Sequence, residues 1–429
     1  MSAIDESKWL NEKFSTTPYN FDPEVRSQLD LPEKVYFHDV TLREAEQAPH
    51  VSLLPQEKIE IAKRLDKLGV HSIEIAPFYS DWDKEAAIQL SKMRKSGELN
   101  AKVIALCRWN EEDIDLALEC GVDGVMCEGI LNTEFVKLAW GLDEKQLAEK
   151  FIAVAKYAKD QKLFVISMPW DTYRSPLSAL ERVAKGVVFE GGADHVSISD
   201  TFGMALPWTI THVVKKLRSW IPGIPIEHHA HNDFGLATTI MIAAVAGGAS
   251  VVHTSVNCLG ERAGNASTEE VAVAMQVLLG LETGLHLEYL YPTCEFVSEL
   301  SKIPIPRNKA ITGENEFVIT SSMVAWMLNA VANTKFVFQG MAFSADLIGR
   351  KKTDIISNVV LGRGTGAFVV EERLKKLGIE ANKEQVDEIV NMVKNEAGIR
   401  KSSVPEVSFE NIVKPVSYTH LTLPTKRIV

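Results

Sequence analysis

Leu68-Gly-Val-His-Ser-Ile-Glu-Ile75 closes one amphipathic stretch and opens an apolar one. The same phrase returns as Cys120-Gly-Val-Asp-Gly-Val-Met-Cys127, Gly191-Gly-Ala-Asp-His-Val-Ser-Ile198 and Gly247-Gly-Ala-Ser-Val-Val-His-Thr254. A glycine just past a helix end accepts the left-handed backbone that residues with a Cβ resist, so each phrase reads as helix, glycine, buried strand. Working outward from these four, eight short runs appear: Val35–Asp39, Ser72–Ala76, Lys102–Cys107, Gly124–Cys127, Leu163–Met168, His195–Asp200, Pro225–His231 and Val251–Asn257. Amphipathic helical patterns lie between them, among them Pro55–Leu68, Glu111–Glu119, Asp143–Lys159, Pro176–Glu190, Pro207–Trp220 and Leu236–Ala246. Eight successive β-then-α units predict an α/β fold, a closed (β/α)8 TIM barrel in preference to an open doubly wound sheet.

The barrel is expected over residues 34–285, after an N-terminal extension, 1–33, that carries Pro18, Pro23 and Pro32. Residues 286–335, with Pro292, Pro304 and Pro306, read as a linker or lid, and 336–414 as a small helical subdomain containing the amphipathic run ANKEQVDEIVNMVKNEAG. The stretch 415–429, PVSYTHLTLPTKRIV, lacks a helical period and is expected to be a non-native tail of vector or adapter type. With 46 Lys and Arg against 57 Asp and Glu, the net charge of −11 disfavours nucleic acid and anionic membrane surfaces as partners. No apolar run approaches the roughly 20 residues of a membrane helix, and the polar start MSAIDESKWLNEKF is unlike a secretory signal. Cys107, Cys120, Cys127, Cys258 and Cys294 form no CxxC pair, which suits reduced thiols and a cytoplasmic protein.

A barrel concentrates its chemistry at the carboxyl ends of its strands. The first run ends HDVTLREAEQ, with Asp39, Arg43, Glu44 and Gln47; the second holds Glu74, the third ends Cys107-Arg108, the fifth leads to Trp170-Asp171 with Arg174 beyond, and the sixth to Asp200-Thr201. In the seventh, EHHAHND, His229 and His231 are two apart and so share one face of a strand, with His228 on the other. Two such imidazoles and the Glu44 carboxylate make a candidate site for Mg²⁺, Mn²⁺, Zn²⁺ or Co²⁺, with Asp233 a possible acceptor that orients an imidazole. The alternative is a pair of hydrogen-bonded structural histidines. Arg43 is placed to hold a carboxylate or an enolate oxygen, or else to form a salt bridge with Glu44 or Glu74. GERAGNAS, with Arg262 and Asn265, reads either as an anion-binding loop or as a helix cap, and LGRGTGAF as a turn entering a helix rather than a phosphate loop.

Together, DVTLREAEQ from Asp39, HAHND from His229 and GERAGNA from Gly260 resemble the D-x-T-L-R-[DE]-G-E-Q, H-x-H-N-D and G-E-R-x-G-N-A signatures of the metal-dependent barrel superfamily of 2-isopropylmalate, homocitrate and citramalate synthases, more distantly HMG-CoA lyase. Asp200-Thr201-Phe-Gly203 resembles their D-T-x-G, and the likeness runs over roughly residues 34–400. The resemblance implies a divalent metal on Glu44, His229 and His231 with Asn265 as a further ligand, Arg43 at the enolate oxygen, and Thr201 at the substrate carboxylate. It implies acetyl-CoA or another acyl-CoA as co-substrate with a 2-oxo acid, and a homodimer. Glu74 and Asp171 join Arg43 as expected catalytic groups, with Gln47, Arg108, Arg174 and Arg262 as substrate contacts.

Departures bear on the reaction. The synthases carry Glu where this chain has Trp170 in WDTYR, and histidines where GENEFVITSSMV has Ile319 and Val324; their L-G-K-H-S-G is LGRGTG here. Neither Trp nor Val relays a proton, a transfer typically worth about 10²–10⁴-fold in rate. Glu74, Tyr173, Asp171 or Cys258 then takes that role, or the reaction differs. The expected function is a metal-dependent acyltransferase joining an acyl-CoA to a 2-oxo acid. A metal-dependent lyase or aldolase and a metal-binding pseudoenzyme are the alternatives.

Overall fold

The computed structural model describes residues 4–332, 334, 341–351 and 357–418. The chain forms two compact units. The first takes in Thr17–Pro306 and Ala310–Thr312 with the chain before Leu10, and the second Leu10–Thr16, Arg307–Lys309 and the chain from Gly313 onward.

The first unit is a closed barrel of eight strands in sequence order: β1 (Tyr36–Asp39), β2 (Ser72–Ile75), β3 (Lys102–Arg108), β4 (Gly124–Ile130), β5 (Phe164–Trp170), β6 (His195–Asp200), β7 (Ile226–Ala230) and β8 (Val251–Thr254). All pairs are parallel, and β1 closes on β8 from Tyr36 opposite Val251 to Asp39 opposite Thr254. The (β/α)8 expectation holds. The four repeated glycines, Gly69, Gly121, Gly192 and Gly248, have φ of 95°, 75°, 73° and 102°. At Gly69 a Cβ would also stand 2.5 Å from the Gly284 carbonyl oxygen, so both backbone and space require glycine there.

Two strands run further than their sequence patterns suggest. β4 continues three residues past Cys127, through Glu128 and Gly129 to Ile130. Its glycine answers to packing, because a Cβ would meet the Trp109 ring at 2.4 Å and Phe151 at 2.8 Å. β5 likewise reaches Trp170, and Ile130 lies opposite Trp170 in register. These extensions carry Glu128 and Trp170 to the carboxyl rim.

Strand alternation divides the side chains cleanly. Ala76, Ile104, Leu106, Met126, Ile166 and Met168, contributed by the β2–β5 region, pack into one apolar cluster inside the barrel. The N-terminal extension is not free of the core: Phe21 is buried beside Gly280, and the Arg26 guanidinium donates to the Leu279 carbonyl. The segment 286–335 is no simple linker either. Its helix Leu290–Ser301 packs on helix Pro55–Leu68, with Arg64 3.9 Å from the Phe296 ring centre, whereas helix Ser322–Ala330 belongs to the second unit.

That second unit packs helices Ser322–Ala330, Ala367–Lys376, Lys383–Arg400 and Glu406–Tyr418 around Ile319, Leu328, Leu361, Val370, Ile389 and Phe409. LGRGTG forms the turn leading into helix Ala367–Lys376, as read from the sequence. Pro415–Tyr418, expected to lack helix, finish the helix Glu406–Tyr418; residues 419–429 lie outside the described residues. Among the described residues no helix is long and apolar enough to cross a membrane.

Candidate active site

Glu44, His229 and His231 meet at the carboxyl end of the barrel. One ligand-capable atom from each lies within 4.8 Å of the others, and all three side chains are buried. The Nε2 atoms of His229 and His231 are 3.4 Å apart, and His229 Nε2 is 3.4 Å from Glu44 Oε1. Glu44 Oε2 and Asn265 Oδ1 are buried with no hydrogen-bond partner. Buried acceptors left unpaired are costly unless something else satisfies them. Burial, His231, His253 and Arg43 hold His229 well below the usual imidazole range; burial with Arg262 and Arg43 lowers His231, against the pull of Glu44. Both rings are thus neutral at pH 7, with lone pairs free to coordinate, and the group fits a divalent cation.

Arg43 ties this cluster to the barrel wall. It follows β1 in the short helix Thr41–Glu44, where its Nη1 donates to Glu44 Oε1 and its Nε donates to Glu74 Oε1 at 2.5 Å; Nη2 is buried and unpartnered. Both salt bridges read as alternatives from the sequence therefore form, and one donor edge is left over. Burial alone would raise the Glu74 carboxyl, but Arg43 and His38 outweigh it and bring it down to about 2. Glu74 Oε2 meets His38 Nε2 at 3.1 Å, and His38 Nδ1 meets Ser72 Oγ at 2.7 Å. Beyond His38 the His253 ring lies 4.6 Å away, and Glu227 joins His253 Nε2 at 2.7 Å and His195 Nδ1 at 2.6 Å. An unbroken set of imidazoles and carboxylates backs the site.

Other expected site residues are placed differently. Asp233 does not orient an imidazole: its carboxylate accepts from Arg262 Nε at 2.8 Å and Nη2 at 3.1 Å, while the Nδ1 atoms of His229 and His231 have no partner. Asp171 is buried with φ 58°, and its carboxylate accepts from Arg174 at 2.7 and 2.9 Å and from Asn132 at 2.9 Å, so it acts here as an anchor for Arg174. Arg108 is held by Asp113 through two 2.8 Å bonds and covers the Phe78 ring. Gln47 donates to Tyr79 at 2.6 Å, and the Thr201 hydroxyl accepts from Asp171 N at 2.8 Å. Arg174 and Arg262 flank the Phe202 ring at 4.0 and 5.3 Å, and Arg262 also donates to the Thr201 carbonyl. Cys258 sits at φ 65° with Sγ donating to the Asn265 carbonyl at 2.9 Å, in the loop that positions Asn265.

The family pattern described as HMGL-like matches residues 34–297. The chain belongs to the HMGL-like family. This HMGL-like chain is 37% identical to a protein named homocitrate synthase AksA from Methanocaldococcus jannaschii, over 97% of this chain and 96% of that one. It is 35% identical to the 2-isopropylmalate synthase of the same organism, over 90% of this chain and 73% of that one. Among solved structures it is similar in fold to Bacillus subtilis HMG-CoA lyase, with a TM-score of 0.56 and 24% identity over 64% of this chain and 96% of that one.

Sequence reading of this HMGL-like barrel missed Glu128, His38, Glu227 and His253. Glu128 escaped because its strand was ended at Cys127; had β4 been continued, alternation with Met126 would have turned it inward. Burial raises its carboxyl to about 7, with Arg43 pulling it down and Glu74, Glu44 and Asp113 pushing it up. His38, Glu227 and His253 sit inside predicted strands, where period two marks their face but not their partners.

Proposed function

We propose that this protein is a divalent-metal-dependent acyltransferase that joins acetyl-CoA to a 2-oxo acid through a new carbon–carbon bond. The observation that carries the reading is the buried meeting of Glu44, His229 and His231 beside the unpartnered Nη2 of Arg43. The names of the relatives, homocitrate, 2-isopropylmalate and citramalate synthases, support the reaction class.

Glu44, His229 and His231 would hold the cation, with Asn265 Oδ1 as a further ligand. Mg²⁺, Mn²⁺, Zn²⁺ and Co²⁺ all suit this mixed nitrogen and oxygen set. The ion would polarise the oxo group of the acid as a Lewis acid. Arg43 directs its free N–H edge at an oxygen on which negative charge develops, and Glu74 with His38 holds that guanidinium fixed and charged. The acetyl methyl loses a proton, its carbon bonds to the oxo carbon, the former oxo oxygen gains a proton, and water then cleaves the thioester to free the thiol. Thr201 and Gln47 offer polar contacts for the acid, with Arg108 on the neighbouring rim. Arg174 and Arg262, on either side of Phe202, give a positive edge for the coenzyme phosphates.

Two finer readings accompany this. A homodimer is supported by the exposed stripe Met323, Trp326 and Met327 on helix Ser322–Ala330, and is tested by solution mass. A cytoplasmic setting is supported by five cysteines present as free thiols. The deciding assay is thiol release from acetyl-CoA by metal-loaded protein with a panel of 2-oxo acids. Release with at least one acid is expected; none across the panel, with the metal demonstrably bound, overturns the reading.

A further inference from the structure

Glu74, Glu128 and Glu227 on the inner wall of the barrel and Glu44 at its carboxyl rim make four carboxyl groups, and three of them are committed. Glu44 and Glu74 bind Arg43, and Glu227 binds two histidines. Glu128 makes no hydrogen bond among the described residues. Its position is fixed by register: it lies opposite Arg108 of β3 and Met168 of β5, and shares a face with Met126, whose neighbours are Ile104, Leu106, Ile166 and Met168. Arg108, the cation best placed to pair with it, is bound twice to Asp113. One half-buried carboxyl group thus lacks a hydrogen-bond partner among the described residues, within electrostatic reach of Arg43, Glu74, Glu44 and Arg108. A polar group partly withdrawn from water in such a place is stabilised when a hydrogen-bond partner arrives.

Charge narrows the partner. Glu44, Glu74 and Glu128 face the Arg43 guanidinium, Arg108 beside Glu128 being balanced by Asp113, and a divalent cation on Glu44, His229 and His231 would bring that set to neutrality. The carboxylate of a 2-oxo acid has the cation and the free Arg43 edge to meet it. A second carboxylate extending along the β3–β5 wall would meet Glu128 and methyl groups, with no free cation.

Resting on the proposed condensation, we infer that Glu128 reads the far end of the 2-oxo acid: the substrate is a monocarboxylate whose tail ends in a hydrogen-bond donor, a hydroxyl or ammonium group, and dicarboxylic 2-oxo acids are rejected. Specificity here comes as much from repulsion as from attraction.

The test uses the full-length, metal-loaded protein. Thiol release and calorimetric binding are measured for 5-hydroxy-2-oxopentanoate, 2-oxopentanoate and 2-oxoglutarate, with wild type, Glu128→Gln and Glu128→Leu. Wild type is expected to favour the hydroxy acid over 2-oxoglutarate by about 10²-fold or more in kcat/KM, since a site built around one polar group discriminates strongly. Glu128→Gln should shrink that ratio by at least about tenfold, and Glu128→Leu should shift preference to 2-oxopentanoate. Wild-type preference for 2-oxoglutarate overturns the inference. So does an equal loss of kcat on all three acids in both variants with binding unchanged, which would make Glu128 the proton acceptor. If no acid releases thiol, the condensation reading fails by itself, and the order of binding affinities still decides the role of Glu128.

Discussion

The two halves of the barrel interior are built from different materials. On β1, β2, β7 and β8 the inward side chains include His38, Glu74, Glu227, His229 and His253, joined by hydrogen bonds or ring contacts. On β3–β5 they include Ile104, Leu106, Met126, Ile166 and Met168, with Glu128 the acidic exception at the rim. Well-packed apolar side chains would stabilise a core at least as well as buried ion pairs, which barely recover their desolvation cost. A polar half of this kind is thus explained by what it positions. It fixes Arg43 and Glu44, and through them the candidate metal-binding group, against a wall that is apolar except for Glu128.

The strongest way to break this contrast is at the candidate metal-binding group, Glu44, His229 and His231. His229→Ala or His231→Ala should weaken divalent-cation binding by more than the roughly 10–100-fold typical of losing an outer-shell partner, and abolish thiol release. Metal content after dialysis checks the first, and unchanged metal content would refute the assignment. Chelation of wild type should likewise stop turnover, with recovery on adding the ion back. Next in size is Arg43→Ala, which strands the Glu44 and Glu74 carboxylates in a buried setting and should cost about 3–5 kcal/mol in denaturant unfolding. A loss below 1 kcal/mol would mean that the pairs are not closed in solution.

Glu74→Gln should show itself mainly through pH. The folded-state value of about 2 lies below the ordinary 4.5, so the charged carboxylate contributes stability that is complete above pH 4.5 and is lost as pH falls toward 2. The interval corresponds to about 3 kcal/mol. Wild type and Glu74→Gln should therefore differ at pH 7 by an amount of that order and converge on acidification. Parallel unfolding curves at pH 7 and pH 3 would remove the electrostatic explanation.

The fold was legible because its signals are local. A glycine after each of four helices, each in the left-handed region, announces a repeating unit without any knowledge of the tertiary structure. The meeting of His229 and His231 was legible for a similar reason, since spacing of two places them on one strand face. Pairing was not. Asp233 lies two residues from His231 but bonds Arg262 across a loop, and Asp171 is consumed by Arg174. Those partnerships depend on where separate strand ends arrive. Glu128 was hidden because the fourth apolar run closes at Cys127, one residue short of it, while the strand continues through Gly129, which makes room for Trp109. The placing of a half-buried carboxyl among side chains from three strands leaves no trace in any single stretch of sequence.

The smallest expected effect sharpens the contrast most. Met126 is fully buried within the apolar half, where volume and shape are what matter. Met126→Leu conserves volume and should cost less than about 1.5 kcal/mol, with metal affinity unchanged. Glu74→Gln is just as conservative in size, yet it removes the charge that holds Arg43 and should cost about twice as much or more. Measured side by side in urea at pH 7, the two near-isosteric swaps separate shape from charge as the property each half depends on. Equal costs would mean that the polar half, too, is sustained by packing, and that its hydrogen bonds are incidental to the placement of Arg43.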